Sequence, residues 1–167
     1  SGLFVSTNRG DNWKRVTAVP EVNILRIRRG ESDPKTWLVV TEGGGAWRST
    51  DDGNTWQPTA PAVDEANLYA CAVDPYNGDH LAVGGWEVGV WVSTDGGKSW
   101  TQRAAGLPSP NVLTLTFDPN HEGRLWAASF EEGMVFSDDS GATWQDGGLY
   151  GSLTNDLGFL PLSPVAR

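Results

Sequence analysis

The side chains with the most chemical potential in this chain are carboxylates set beside aromatic rings in three short segments. They are Glu42 in TEGGGAW (Thr41 to Trp47), Trp86 and Glu87 in GWEVGVW (Gly85 to Trp91), and Phe130, Glu131 and Glu132 in SFEEGMVF (Ser129 to Phe136). An aromatic plane next to acceptor oxygens suits a sugar ring, which stacks on the plane while its hydroxyls are hydrogen-bonded. Two carboxyl groups facing each other, one with a raised pKa, are what glycoside hydrolysis needs, so Glu42, Glu87 and Glu131 are the candidates for such a pair. The plainer reading carries more weight: loop acids are commonly solvated, and aromatic rings between packed units commonly pack. Trp86 is the ring singled out for ligand contact.

Other reactive groups are sparse. His80 and His121 have no second His or Cys nearby, which argues against a transition-metal site. Cys71 is alone within an apolar run, so it reads as a buried, inert thiol and leaves the redox compartment open. Acidic residues outnumber basic ones by 21 to 12 for a net charge of −9, which argues against nucleic acid or an anionic membrane as the main partner. No transmembrane span and no signal-like opening segment are visible.

The elements that must position these loops are set by a repeat. STNRGDNW begins at Ser6, STDDGNTW at Ser49, STDGGKSW at Ser93 and SDDSGATW at Ser137, at steps of 43, 44 and 44 residues. A period of this length is that of a four-stranded propeller blade. Within each copy the pattern describes a tight hairpin connection: Ser6, Asn8, Gly10 and Trp13; Ser49, Asp51, Gly53 and Trp56; Ser93, Asp95, Gly97 and Trp100; Ser137, Asp139, Gly141 and Trp144. The Asp or Asn oxygen can accept from backbone N–H groups of the turn, Gly takes a backbone conformation other residues resist, and the Trp anchors the returning strand. The spacing lacks the alternating oxygen ligands and closing Glu of a calcium loop, so no metal is expected. Nor does any feature call for a cofactor.

Between the copies the same order of strands repeats. Apolar runs at Ile24 to Ile27, Leu68 to Val73 and Val112 to Phe117 read as innermost strands, each preceded by Asn23, Asn67 or Asn111, with Asn155 in the corresponding place after the last copy. Second strands are expected from near Thr36, His80 and Arg124, and fourth strands from near Thr55, Ser99 and Thr143. Trp47, Trp91 and Phe136 are expected to pack between blades.

The motif S-x-D-x-G-x-T-W resembles the Asp box of the bacterial neuraminidase repeat, found in sialidases, sortilin-type receptors, xyloglucan-cleaving glycosidases and the photosystem II assembly factor Ycf48. That resemblance implies an all-β propeller of four-stranded antiparallel blades, with the boxes away from the face where chemistry occurs. It slightly favours an extracellular or periplasmic setting. Sialidases of this group also require arginines from separate blades and a Tyr with a Glu partner, whereas Arg26, Arg28 and Arg29 crowd into one blade. The xyloglucan-cleaving relatives place their acids between two whole propellers.

The expected division is therefore three blades at 23–66, 67–110 and 111–154, with the third and fourth strands of a split blade at 1–22 and its first strand at 155–167. A split blade leaves sheet edges that invite pairing, and three resolutions are open: the two termini meet within one molecule as a four-bladed ring with an incomplete blade, or, as favoured here, a homo-oligomer sharing strands or further blades of a longer chain complete the ring. The functional expectation is a non-catalytic scaffold binding a protein, peptide or glycan through the face opposite the boxes, with Trp86, Glu87, Phe130, Glu131, Glu132 and Glu42 at the site. The alternative is a glycoside hydrolase-like propeller using the loop carboxylates.

Overall fold

A computed structural model describes residues 1–159. Strands β1 (Phe4–Val5) and β2 (Lys14–Arg15) form an opening hairpin. Three four-stranded sheets follow: β3 (Ile24–Arg29), β4 (Trp37–Thr41), β5 (Ala46–Ser49) and β6 (Gln57–Thr59); β7 (Leu68–Val73), β8 (Leu81–Gly85), β9 (Gly89–Ser93) and β10 (Thr101–Gln102); β11 (Val112–Phe117), β12 (Leu125–Ser129), β13 (Gly133–Ser137) and β14 (Gln145–Gly148). Each sheet is an antiparallel meander in chain order. Strand β7 packs beside both β3 and β11, so the sheets stand as successive blades with these three strands innermost.

Three boxes close on the same four hydrogen bonds and the first copy on three of them, because a Ser hydroxyl and a carboxylate or amide oxygen together satisfy the turn's backbone donors. The Ser hydroxyl donates to Asp Oδ1 and accepts from the box Gly N–H, at 2.8 and 2.9 Å in the Ser49 copy, 2.9 and 2.8 Å in the Ser93 copy and 2.7 and 2.7 Å in the Ser137 copy. Asp51, Asp95 and Asp139 each then accept both the backbone N–H and the hydroxyl of Thr55, Ser99 or Thr143. In the first copy Ser6 donates to Asn8, which accepts the Asn12 N–H, and Ser6 Oγ accepts the Gly10 N–H. With Asn12 where the others carry a hydroxyl, the fourth bond is missing from that turn. These ties delay the fourth strands: β6, β10 and β14 start at Gln57, Thr101 and Gln145, two residues beyond the expected Thr55, Ser99 and Thr143.

The blades are joined by a clamp that repeats along the chain. In the second and third blades the box Gly and Trp close on one residue of the blade before, and in the first blade the Trp alone packs on it. Trp56 packs with Val16 of the opening hairpin, Trp100 Nε1 donates to Thr59 Oγ1 at 3.1 Å, and Trp144 Nε1 donates to the Arg103 carbonyl at 3.0 Å. Gly97 and Gly141 have positive φ, 84° and 81°, and a side chain at either would run into Thr59 or Arg103. Trp56 is 6 % exposed and Trp100 and Trp144 are partly buried, but Trp13 is 65 % exposed, having no earlier blade to close on among the described residues.

Apolar side chains are buried between sheets rather than within any one of them. Leu38, Val40 and Ala46 of the first blade meet Leu68, Cys71, Leu81 and Val83 of the second. Ala70, Ala72, Ala82, Val90 and Val92 of the second meet Val112, Leu115, Phe117, Leu125 and Ala127 of the third. Alanines opposite Leu and Phe let the sheets approach closely. Burial pushes the Cys71 thiol up to about 12. Arg48 staples the first two blades, donating to the carbonyls of Gly96 and Gly78 and pairing with Asp79 at 2.8 Å.

Two details depart from the sequence expectation. The register puts Val135 opposite Ala127, in the place of Trp47 opposite Val39 and Trp91 opposite Val83. Phe136 instead faces the other side of the sheet, stacked on Trp126 with centroids 5.0 Å apart and capped by Arg124. Residues 155–159, expected to begin a strand, are irregular, and the remainder of that segment lies outside the described residues.

Two outcomes follow from the clamp and the boxes. Trp100→Ala is expected to cost about 3–5 kcal/mol in chemical denaturation, whereas Trp13→Ala, in dilute solution, should shift stability by no more than about 0.5 kcal/mol. Hydrogen bonds from Ser99 and Thr143 hold the Asp95 and Asp139 carboxyls at about 2, below the ordinary 3.8. Their folded pKa is depressed, so the stabilisation is complete above about pH 4 and is lost as pH falls through about 2. Denaturation midpoints measured across that window should fall steeply for the native chain and more shallowly for an Asp95→Asn, Asp139→Asn double variant.

Candidate functional site

The face opposite the boxes is built from the connections between second and third strands. A backbone bond repeats at each: the N–H groups of Glu42, Trp86 and Phe130 donate to the carbonyls of Asn23, Asn67 and Asn111, closing the end of each innermost strand pair. Glu42, Trp86 and Phe130 thus occupy equivalent places, with the acid of the first blade standing where the next two carry aromatic rings.

The residue after each of these must take a left-handed backbone for the chain to reverse. It is Gly43 in the first blade, φ 70°, but Glu87 and Glu131 in the second and third, φ 60° and 61°. A non-glycine side chain in that conformation is strained by roughly 1–2 kcal/mol. Asn111 supports the second turn from the neighbouring blade, its Oδ1 accepting the Glu87 N–H at 2.9 Å. Glu87, Glu131 and Glu132 are exposed, so the turns point three carboxylates into solvent.

Between these turns Trp86 and Phe130 meet edge to face, ring centroids 5.6 Å apart at 69°. Trp86 remains 42 % exposed. The second and third blades therefore present an aromatic corner rimmed by acid. Glu42 lies on the first blade, where its Oε2 accepts from Asn23 Nδ2 at 2.6 Å. Its carboxylate is spent on closing its own loop, and no hydrogen bond links it to Glu87, Glu131 or Glu132 among the described residues.

A second polar cluster, on the innermost strand of the first blade, has no counterpart in the candidate set. Arg26 donates to the Asn155 carbonyl at 2.9 Å, and Arg26 and Arg28 flank the Asp156 carboxylate at 3.5 and 3.2 Å. Beside them a cavity of about 210 Å³ opens between the innermost strands, lined by Arg28, Arg29, Phe117, Pro119, Leu157 and Phe159. The signal in the sequence is the basic run on β3 against Ala and Thr on β7 and β11. Its partner lies some 130 residues on, in the segment that the repeat aligns with Asn23.

The family model described as BNR/Asp-box repeat matches residues 91–102. Vacuolar protein sorting/targeting protein 10 of Sordaria macrospora is 32% identical over 57 residues, which are 34% of this chain and 4% of that protein. The Niastella koreensis GH74 enzyme shares the fold with a TM-score of 0.72 at 20% identity, over 90% of this chain and 27% of its own. YCF48 bound to D1 peptide is similar with a TM-score of 0.59 at 22% identity, over 74% of this chain and 40% of its own. The chain thus spans only a small part of the relatives it matches, and at these identities the solved structures speak to fold. Taken with four Asp-box turns and sheets stacked as blades, these likenesses support a β-propeller fold that carries BNR/Asp-box repeats.

Proposed function

We propose that the chain is a non-catalytic binding scaffold that presents the Trp86–Phe130 corner, with Glu87, Glu131 and Glu132 around it, to a protein, peptide or glycan. The observation that carries this reading is the exposed Trp86 ring held edge-on to Phe130 across two blades. Rigid aromatic area ringed by acceptors binds with little loss of side-chain freedom, and it suits either a sugar face or an apolar side chain beside a basic or amide group. Glu42 is assigned to the margin of the site, because it already holds Asn23. The ring is completed by strand sharing or by further blades. A fold neighbour whose structure holds a peptide, and a matched relative named for sorting and targeting, lend support to a protein or peptide ligand.

Glycoside hydrolysis is the second reading. The fold likeness to GH74 enzymes favours it, as does the equivalent placement of Glu87 and Glu131 at the same left-handed turn position of adjacent blades.

Glycan and peptide arrays followed by calorimetry test the first reading: Trp86→Ala should weaken the best ligand at least tenfold, about 1.4 kcal/mol. Glu87→Gly is the cleaner probe of the carboxylate. It suits the left-handed turn, so stability should hold within about 1 kcal/mol or rise slightly, while ligand affinity falls. Turnover of a chromogenic glycoside panel that disappears on Glu87→Gln would instead establish the hydrolase.

A further inference from the structure

Twice in this chain an arginine is held by an aromatic ring and an acid together. Arg29 stands 5.2 Å from the centre of the Trp37 ring and pairs with Asp52 at 3.5 Å, while Asp52 also accepts the Trp37 indole N–H at 3.1 Å. Arg124 stands 4.6 Å from the centre of the Phe136 ring and forks onto both oxygens of Asp138, at 2.7 and 3.3 Å. The cause is common to both: a guanidinium is attracted to the negative face of a ring and can still donate, in its own plane, to a carboxylate.

The corner on the face opposite the boxes has two parts of this arrangement and lacks the third. Trp86 and Phe130 supply the rings, 5.6 Å apart, and Glu87, Glu131 and Glu132 follow them directly in their turns. Among the described residues no arginine, lysine or histidine pairs with any of these three acids. Trp86 and all three acids are exposed, in a chain whose net charge is −9. Both blades that build the corner are complete four-stranded sheets, so ring and acid are set on rigid supports.

We propose that this corner takes an arginine side chain from a protein or peptide partner, its guanidinium stacked on Trp86 and held by the carboxylates of the two turns. This rests on the reading of the corner as a binding site, and it names the chemistry bound there. Charge decides against a neutral sugar, which can stack on the indole and donate hydroxyls but leaves three negative charges uncompensated. A cation answers ring and acids at once. Arginine fits better than lysine, because its plane can lie along the ring while its edge presents paired donors, as Arg124 does between Phe136 and Asp138. The net negative charge of the chain draws a basic segment in, and salt weakens that attraction.

Peptide arrays in which one position is fixed as arginine, lysine or citrulline test the assignment, run beside a glycan array. The tightest binders should carry arginine. Exchanging that arginine for citrulline, which keeps the shape and removes the charge, should weaken binding by about tenfold or more, and affinity should fall as salt is raised. A Glu131→Gln, Glu132→Gln double variant changes two exposed side chains, so it should melt as the native chain does while binding the arginine peptide about tenfold more weakly. A citrulline peptide that binds as well as its arginine parent, or a double variant that keeps full affinity, overturns the proposal. A neutral glycan that needs Trp86 but ignores the loss of both acids also overturns it, and leaves the scaffold reading standing. A screen in which no ligand depends on Trp86 removes both.

Discussion

A four-stranded sheet has two faces, and in this chain neither finds enough apolar cover within its own blade. The structure therefore depends on sheet packing against sheet, and that packing is registered by a recurring contact, the box Gly and Trp of the second and third blades gripping Thr59 and Arg103, at and just after the fourth strand of the preceding blade. The grip requires the turn to present its Gly and Trp at a constant angle, which the Ser and Asp bonds secure by satisfying the turn's own donors. The carboxylate that looks most reactive in the sequence motif is thus fully engaged in local hydrogen bonding. On the opposite face the turns are held by backbone bonds, and Trp86, Glu87, Glu131 and Glu132 remain exposed.

Much of this was legible in the sequence because repetition averages out local ambiguity. Three innermost strands appear where the apolar runs place them, with β3 extending two residues past Ile27 to Arg29, and the second strands begin one residue after the expected starts. Local chemistry that competes with strand pairing was harder to read: the double bond from Thr55 back to Asp51 keeps that residue in the turn. Phe136 was matched to Trp47 and Trp91 as an aromatic residue, whereas their step of 44 leads to Val135, the residue the register puts in their place. The exposure of Trp13 was hidden for a different reason. Its spacing from Ser6 and Gly10 matches that of Trp56 from Ser49 and Gly53, so position in the motif does not separate a 65 % exposed ring from a 6 % exposed one.

The candidate site was legible in composition but not in geometry. Counting acids along the chain groups Glu42 with Glu87 and Glu131, whereas the turns align Glu42 with Trp86 and Phe130 and give the left-handed position to Gly43, Glu87 and Glu131. Two blades retain an acid at a position that Gly fills more easily, which places the cost of a strained backbone beside the aromatic corner. The Arg26 and Arg28 cluster shows the complementary failure, since its meaning depends on Asp156, brought back across the innermost strands from the far end of the chain.

The position of Cys71 has a consequence of its own. Its sulfur is fully buried, 3.7 Å from the Leu38 carbonyl, at the seam between the first two blades. A thiol in that setting is a poor nucleophile and is shielded from oxidants and alkylating agents while the seam is shut. The single cysteine is in effect an internal stopwatch: modification occurs only when two blades part, and its rate counts those partings without any label having been introduced.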